Sequence, residues 1–492
     1  MSITIEQKPL YEVLPVGQQI IFTVDNTSIV QNYFNVKYLA EVHISTSSIN
    51  LSVTDDIVAT FKTTPNNKGV GIFDFQPLFE SYVSSDNTGT DNGNGSRYKT
   101  VQYSLETPHP IHLIDRLARS MNSIRYFAIQ FKIEGATTST APILTIAGQA
   151  ENSVLYTFFN GVLQHDDYLT LGEINGAGAL VAGNEYGYDL SSNLFYLGES
   201  VTPSTFLTNA PTTQYANVDD YGTMGFLNFL PNSSDRVKQL NVVYYNSAGG
   251  SIGSETLLQT YSNGGATNPD NIHCKILYVG IFPANLRGSS MYTSGFISIF
   301  QSLVDAGTIQ GGYYTVQPET DAGDLQQMYT INVTCPILKG YEPIRLTWLN
   351  QWGVWDYYTF NMKSVRSTST NRTTYTQMTG TWNDSSYRID GYKGGKKNFR
   401  VNSTERIQVN TDFVTEADAV WFEELVNSQE VYILNGFDSS EGGKPYHTIT
   451  NKYIEPVLVT TSSYVRQTIA NDKLMQYTFE LERNKTQKMH TS

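Results

Sequence analysis

The stretch FNVKYLAEVHI, residues 34–44, decides the fold class of this chain. Its apolar side chains recur at every second position from Phe34 to Ile44, and Asn35, Lys37 and Glu41 lie between them. A period of two residues predicts a strand with one buried and one exposed face. We therefore expect a mainly β protein in which this strand belongs to a half-buried sheet.

Segments on either side of this strand have the same character. Ile20 to Val24 precede it, Ile57 to Phe61 follow it, and the alternation returns at Phe127 to Ile133. These segments predict an N-terminal antiparallel β-sandwich of the immunoglobulin or fibronectin type over residues 1–141. Within it we expect a short helix near residues 73–83 and, from the composition SSDNTGTDNGNGS, a flexible loop at residues 84–96.

The remainder of the chain divides by composition. Residues 142–327 mix Gly, Asn and Ser turns with short strands such as Leu240 to Tyr245, and they predict a β-rich middle region with uncertain limits. Residues 328–492 begin with an alternating segment from Tyr329 to Cys335. This last region holds all five tryptophans of the chain: Trp348, Trp352, Trp355, Trp382 and Trp421. The shift in composition predicts a separate C-terminal β domain.

One short helix is expected in this domain, at residues 416–427. Thr415 and Asp418 have the spacing of an N-terminal capping box. An apolar stripe should pack the helix on a sheet, and it comprises Ala417, Val420, Trp421 and Leu425. The predicted fold is therefore several antiparallel β-sandwich domains with one short helix packed on the C-terminal sheet.

Length and charge limit the possible functions. The chain has 492 residues, of which 16% are charged, and its net charge is -14. An acidic balance argues against wrapping nucleic acid. The absence of a basic and apolar leader, or of 18 consecutive apolar residues, predicts no secretory signal and no membrane helix. Only Cys274 and Cys335 are present, which fits assembly in a reducing cytoplasm and leaves one bridge between them possible.

Enzyme motifs are weak. Gly249 to Gly253, GGSIG, has the letters of a nucleophile elbow, but its context predicts a hairpin turn. The carboxylate doublets Asp166-Asp167, Asp219-Asp220 and Glu423-Glu424 are expected on solvated loop or helix faces. We therefore predict no enzyme activity and no catalytic residue.

Metal and cofactor motifs are equally weak. His109 and His112 flank Pro110, which opposes a shared helical face, so a surface loop is expected. His273-Cys274 with Cys335 could join a metal site, but small residues buried in strands are the favoured interpretation. No cofactor or metal is predicted.

Basic residues cluster once, around Gly394-Gly395. The cluster comprises Lys393, Lys396, Lys397 and Arg400. A solvated hairpin tip is the favoured interpretation, and contact with an acidic neighbouring subunit or with DNA is the alternative. The tail at residues 483–492 is basic and should stay loose unless a partner orders it.

Parts of the chain resemble a known group of proteins. The segments Gly71-Ile72-Phe73-Asp74-Phe75, Ile344 to Asn350 and Gln476 to Glu480, together with the strand at residues 34–38, are similar to tail and collar structural proteins from phages of Bacteroidetes hosts. The resemblance covers about the first 85 and the last 165 residues, and the ring subunits of crAss-like podoviruses are the most similar of these proteins.

Such a resemblance implies a virion structural protein of the tail or collar, assembled in the host cytoplasm. It implies a homo-oligomeric ring, dodecameric to match the portal, that contacts the portal and other tail ring proteins while DNA passes through the channel without sequence-specific binding. The 33 tyrosines and the low charge suit large subunit interfaces. The candidate interface residues are Trp348, Trp352, Trp355, Lys393, Lys396, Lys397 and Arg400.

Two other classes of function remain open. A receptor- or glycan-binding tail adhesin would use Trp348, Trp352 and Trp355 as a solvent-facing aromatic platform. A virion-associated polysaccharide-degrading enzyme would need a cleft with two facing carboxylates.

Overall fold

The computed structural model describes residues 2–9, 13–46, 57–86, 88–89, 109–113, 117–120, 122–162, 206–228, 237–257, 275–286, 299–320, 323, 325–334, 341–381, 385–389, 394–434, 454–461, 463–465 and 475–483. The fold is mainly β, as predicted, with several antiparallel and mixed sheets and few helices. The helices are α1 (Thr27–Asn32), α2 (Gln76–Glu80), α3 (Pro283–Leu286), α4 (Ile299–Asp305) and α5 (Glu416–Asn427), and a 3-10 turn covers Ile111–Leu113.

Twelve strands lie in the first 160 residues. They are β1 (Thr4–Gln7), β2 (Val13–Pro15), β3 (Ile21–Asp25), β4 (Phe34–Ser45), β5 (Ala59–Thr63), β6 (Val70–Asp74), β7 (Thr88–Gly89), β8 (His109–Pro110), β9 (Leu117–Arg119), β10 (Ile124–Ala136), β11 (Leu144–Asn152) and β12 (Tyr156–Phe159). The sheet β1-β3-β6 packs on the sheet β2-β12-β10-β4-β5, in which β11 also pairs with β10. This pair of sheets is the N-terminal sandwich.

Aromatic side chains fill the space between the two sheets. The Phe79 ring centroid lies 4.3 Å from that of Phe127 and 4.7 Å from that of Phe158. The Phe22 ring lies 5.7 Å from the Phe131 ring. All five side chains are fully buried, so each large ring withdraws apolar area from water and fixes the spacing of the sheets.

The strand at residues 34–44 alternates less strictly than its sequence predicts. Val36, Tyr38 and Val42 point into the core, as expected, but Phe34 is 50% exposed. Asn35 has a φ of 53°, in the left-handed region, so the first residue of the strand is turned away from the inward-facing series. The short helix expected near residues 73–83 forms as α2, with β6 immediately before it.

Seven strands form two sheets in the middle of the chain. They are β13 (Thr213–Asn217), β14 (Thr223–Asn228), β15 (Val237–Tyr245), β16 (Ser251–Leu257), β17 (Lys275–Gly280), β18 (Tyr313–Thr320) and β19 (Tyr329–Thr334). The orders are β13-β19-β18-β15-β16 and β14-β17-β9. Gly249, with a φ of 81°, lies in the turn of the β15–β16 hairpin, so the GGSIG stretch forms the hairpin that we predicted.

Two strands pair across the domain limits that composition suggested. β9, from the first 141 residues, pairs with β17 of the middle region. β19, which the sequence assigned to the C-terminal domain, pairs with β18 and lies parallel to β13. Backbone hydrogen bonds therefore connect the regions, because unpaired strand edges are costly when they are buried.

The C-terminal sheet has seven strands in the order β21-β20-β24-β25-β26-β23-β22. Its members are β20 (Ile344–Leu349), β21 (Trp355–Phe360), β22 (Val365–Gln377), β23 (Gly395–Asn410), β24 (Val431–Leu434), β25 (Ile454–Val459) and β26 (Thr478–Arg483). Helix α5 packs on this sheet and starts with the predicted capping box, in which the Thr415 hydroxyl accepts from the Asp418 N–H and the Asp418 carboxylate accepts from the Thr415 N–H.

The buried stripe of α5 differs from the predicted one. Trp421 and Leu425 are buried as expected, but Val420 is 47% exposed and Ala417 is also exposed. Ala419 and Phe422 complete the buried face instead. The choice between neighbouring helical stripes depends on the sheet beneath the helix, which the local sequence does not contain.

We expect Phe79→Ala to destabilise the N-terminal sandwich by about 3–5 kcal/mol, because it leaves a cavity among three rings. Phe34→Ala removes the same atoms from a half-exposed site and should cost well under about 1 kcal/mol. Amide hydrogen exchange of β4 and β10 measures both effects. Equal losses in the two variants would contradict the packing described here.

Candidate assembly surface and buried junction

The three tryptophans predicted at an interface lie inside the subunit. Trp348 is 0%, Trp352 2% and Trp355 1% exposed. Trp348 packs against Trp421 beneath α5, with ring centroids 4.9 Å apart. The Trp355 indole N–H donates to the backbone carbonyl of Asp86 at 2.8 Å. These residues therefore form the core of the fold, and they offer neither an interface nor the aromatic platform of an adhesin.

The first part of the predicted flexible loop is packed against these tryptophans. Ser85 and Asp86 are buried, and the Asp86 carboxylate accepts from the Asn122 N–H at 2.8 Å. The Ser85 hydroxyl donates to the Glu430 carboxylate at 2.7 Å. The prediction of a flexible loop is wrong for residues 84–86, and residues 87 and 90–96 lie outside the described residues.

A buried polar cluster, the junction, joins the middle region to the C-terminal sheet. Its centre is Arg345 of β20, which is 4% exposed. The Arg345 Nε–H donates to the Tyr221 carbonyl at 2.6 Å, and Nη1 lies 2.7 Å from the Thr359 hydroxyl and 3.4 Å from Asp220 Oδ2. The guanidinium also lies over the Phe282 ring at 4.6 Å. Hydrogen bonds, one ion pair and a ring thus replace the water that Arg345 loses.

Asp220 is the carboxylate partner in the junction. We expected the Asp219-Asp220 doublet to be solvated, and for Asp220 that expectation is wrong, because it is buried and accepts from the Thr359 hydroxyl and the Asn217 N–H. Burial raises the pKa of Asp220, while Arg345 opposes that shift. Burial likewise lowers the pKa of Arg345, against the attraction of Asp220. Each charge keeps the other ionised at neutral pH.

His112 extends the junction toward the first region. It is fully buried, so the surface loop predicted for it is wrong, and its Nδ1 lies 2.8 Å from the Tyr357 hydroxyl oxygen. Asn285 donates to the His112 carbonyl at 3.0 Å. Burial, with a smaller contribution from Arg345, lowers the pKa of His112 to about 3, so its ring is neutral at pH 7.

A second buried carboxylate, Asp356, holds α5 and residues 206–210 together. It accepts from the Thr208 hydroxyl at 2.6 Å and from the Trp421 indole N–H at 2.7 Å. Burial raises the pKa of Asp356 to about 6, although hydrogen bonds oppose the shift. The role of this group is structural, because its partners belong to the protein core.

The described members of the basic cluster lie on a hairpin that leaves the C-terminal sheet. Lys396, Lys397 and Arg400 are in β23, and none of them is buried or forms an ion pair with another described residue. Lys393 lies outside the described residues. The hairpin predicted for this cluster is confirmed, and its role at an interface stays a prediction.

The outer part of this hairpin has no other strand beside it. β22 and β23 pair from Val365↔Gln408 to Gln377↔Gly395, whereas β26 pairs with β23 only at Arg406–Asn410. Residues 369–404, here called the arm, thus form a two-stranded ribbon around the closing pair Ser369↔Thr404. Side chains on both faces of the ribbon are exposed or half-exposed.

The tip of the arm encloses a cavity of about 400 Å³. It is lined by Thr376, Gln377, Met378, Thr379, Thr381, Tyr387 and Gly395. Gly394, with a φ of 94°, allows the chain to turn there, and a Cβ on it would lie 2.2 Å from Thr379 Cγ2. The lining contains no carboxylate, so this cavity lacks the two facing acids that polysaccharide hydrolysis requires.

Other expected sites stay outside what the structure describes. Asp166-Asp167, His273-Cys274, Cys335 and residues 484–492 of the basic tail lie in undescribed parts of the chain. Among the described residues no group of three His, Cys, Asp or Glu side chains could hold a metal ion. Within the same residues, no helix has the length and apolar character needed to cross a membrane.

Comparisons with known proteins give little further information. No family model and no curated protein matches the chain. Among solved structures it is similar to fibronectin(III)-like modules of Clostridium thermocellum CbhA, with 10% identity, 69% of this chain and 98% of that chain covered, and a TM-score of 0.13. It is also similar to the sialic acid binding region of a Streptococcus sanguinis SK1 adhesin, with 10% identity, 70% and 80% coverage, and a TM-score of 0.12. Likenesses at these TM-scores carry no argument about this chain.

We expect Arg345→Met to destabilise the protein by about 3–5 kcal/mol, because it leaves Asp220 buried without its cation. Arg366→Met removes an exposed pair with Glu342 and should cost less than about 1 kcal/mol. Urea unfolding followed by tryptophan fluorescence compares the two. Similar midpoints for both variants would show that the junction is not needed for stability.

We expect wild-type stability to fall relative to Asp356→Asn as the pH rises from about 4 to 6. The folded state, whose Asp356 has a pKa of about 6, keeps the proton that the unfolded state has already lost, so deprotonation favours unfolding in this window. Above pH 6 the difference should be constant. Urea midpoints at pH 4, 5, 6 and 7 measure it, and a difference independent of pH would contradict the burial of this carboxyl.

Proposed function

We propose that this chain is a structural subunit of a multi-subunit assembly and that the arm makes contact between subunits. The observation that supports this proposal best is the two-stranded ribbon at residues 369–404, which leaves the sheet with both faces open to solvent. At about 3.3 Å per residue, its roughly ten residue pairs extend about 30 Å beyond the last three-stranded part of the sheet.

A ribbon of this kind is a poor structure on its own. An isolated two-stranded hairpin is marginally stable in water, and stable sheets need a third strand, a helix or another surface. The long free edge of β22 also exposes unpaired backbone groups. Both deficits are removed when a second molecule covers the ribbon, which is why a protruding arm supports a role in assembly.

The composition of the arm supports the same role. It carries six lysines and arginines against two aspartates, although the whole chain has a net charge of -14. A basic arm on an acidic subunit favours contact with an acidic surface and disfavours contact between two arms. Exposed apolar side chains on the arm, among them Tyr375, Met378 and Phe399, add area that an interface would bury.

The particular assembly we propose is a ring in the tail or collar of a phage, located in the virion between the portal and the distal tail. Its support is the resemblance of the terminal segments to ring subunits of crAss-like podoviruses. In such a ring, identical subunits contact each other through two different surfaces, and the number of copies closes the circle. The acidic body would let DNA pass through the channel without binding.

The proposal is tested by shortening the arm. Replacing residues 371–402 with Asn-Gly keeps the pairs Ser369↔Thr404 and Thr370↔Ser403 and closes them with a favoured two-residue turn. We expect closed rings in negative-stain images of the wild-type protein and only monomers in the shortened variant, with unchanged tryptophan fluorescence because all described tryptophans lie in the body. A wild-type protein that stays monomeric at high concentration would refute the ring.

A further inference from the structure

One face of the arm combines aromatic and cationic side chains. Tyr375 is directly opposite Lys397, and Thr373 is directly opposite Arg400, so these residues share a face of the ribbon. Phe399 is the extra residue of the bulge between these pairs, and its ring centroid lies 6.5 Å from that of Tyr375. Tyr375 is 43% and Phe399 63% exposed. We call Tyr375, Lys397, Phe399 and Arg400 the arm patch.

The outer side of α5 has the opposite charge and a similar apolar content. Glu416, Val420 and Glu423 follow each other at intervals of four and three residues, so they form one stripe along the helix. Val420 is 47% exposed, and Phe413, just before the helix, is 62% exposed. The described helix contains no lysine or arginine. We call Phe413, Glu416, Val420 and Glu423 the helix patch.

We propose that the arm patch of one copy of this chain docks on the helix patch of the next copy. Each patch offers two exposed apolar side chains and two like charges, and the charges of the two patches are opposite in sign. Burying Tyr375 and Phe399 against Phe413 and Val420 supplies apolar area, while Lys397 and Arg400 approach Glu416 and Glu423 and set the register. The inference rests on the proposed function, because it names the two surfaces through which the subunits would meet.

The two patches differ, and this determines the symmetry of the contact. An interface between unlike surfaces is heterologous, so each copy donates its arm to one neighbour and receives an arm from the other. Repetition of that contact gives a closed ring or an open filament, never a two-fold dimer. The contact should also weaken with salt, since its charges lie at the protein surface.

Charge-reversal variants test the docking. The arm-reversed variant is Lys397→Glu with Arg400→Glu, and the helix-reversed variant is Glu416→Lys with Glu423→Lys. The matched control, Lys8→Glu with Lys68→Glu, changes two exposed lysines of the N-terminal region by the same charge. Sedimentation equilibrium measures self-association, and tryptophan fluorescence checks that every variant is folded.

We expect each reversed variant alone to associate at least about tenfold more weakly than the wild type, because like charges then face each other. The control should associate like the wild type. An equimolar mixture of the two reversed variants, and a chain that carries all four reversals, should regain association, because opposite charges again meet. Recovery on mixing identifies the two patches as partners, which a general loss of solubility or folding would not produce.

Three results would overturn the docking. If the arm-reversed variant still forms wild-type rings, the ring proposal stands and the docking fails. If mixing restores nothing, the two patches are not partners. If the arm-reversed variant keeps self-association but loses binding to a random-sequence double-stranded DNA probe, the arm contacts DNA instead. Conversely, arm-dependent association without closed rings would support the docking and count against the ring.

Discussion

The buried guanidinium of Arg345 is the group on which the arrangement of the C-terminal sheet against the middle region depends. A cation in the protein interior is several kcal/mol less favourable than one in water unless its partners are in place. Those partners come from separate parts of the chain: Asp220 and Tyr221 precede β14, Thr359 lies on β21, and Phe282 follows β17. The site therefore forms only when all these segments meet, and it specifies how they meet.

Other contacts at the same junction are polar and directional too. Asp356 joins β21 to Thr208 and to Trp421 of α5, and Trp355 joins β21 to Asp86. Apolar side chains around them supply most of the buried area, but an apolar contact tolerates sliding and a buried hydrogen bond does not. The body of the subunit is thus held in one arrangement, from which the arm projects with few contacts of its own.

This division of roles explains the separation of charge along the chain. The body buries its aromatic residues, including every described tryptophan, and leaves an acidic surface. The arm keeps its basic and aromatic residues exposed, where they add nothing to the stability of the isolated subunit. Residues that a monomer exposes without a structural use are the natural basis for contact with another molecule.

The sequence by itself determined the strands, the hairpins and the start of α5, because these depend on periodicity, turn residues and a capping box that lie within a few residues of one another. It also located the basic cluster on a hairpin. Only the tertiary structure decided that the tryptophans, Asp220 and His112 are buried and that Val420 and Phe399 are exposed. Burial depends on which distant segments cover a side chain, and the partners of Asp220 and His112 lie more than a hundred residues away in the chain. Local patterns carry no record of such contacts, so the fold class could be predicted while the residues at the surface could not.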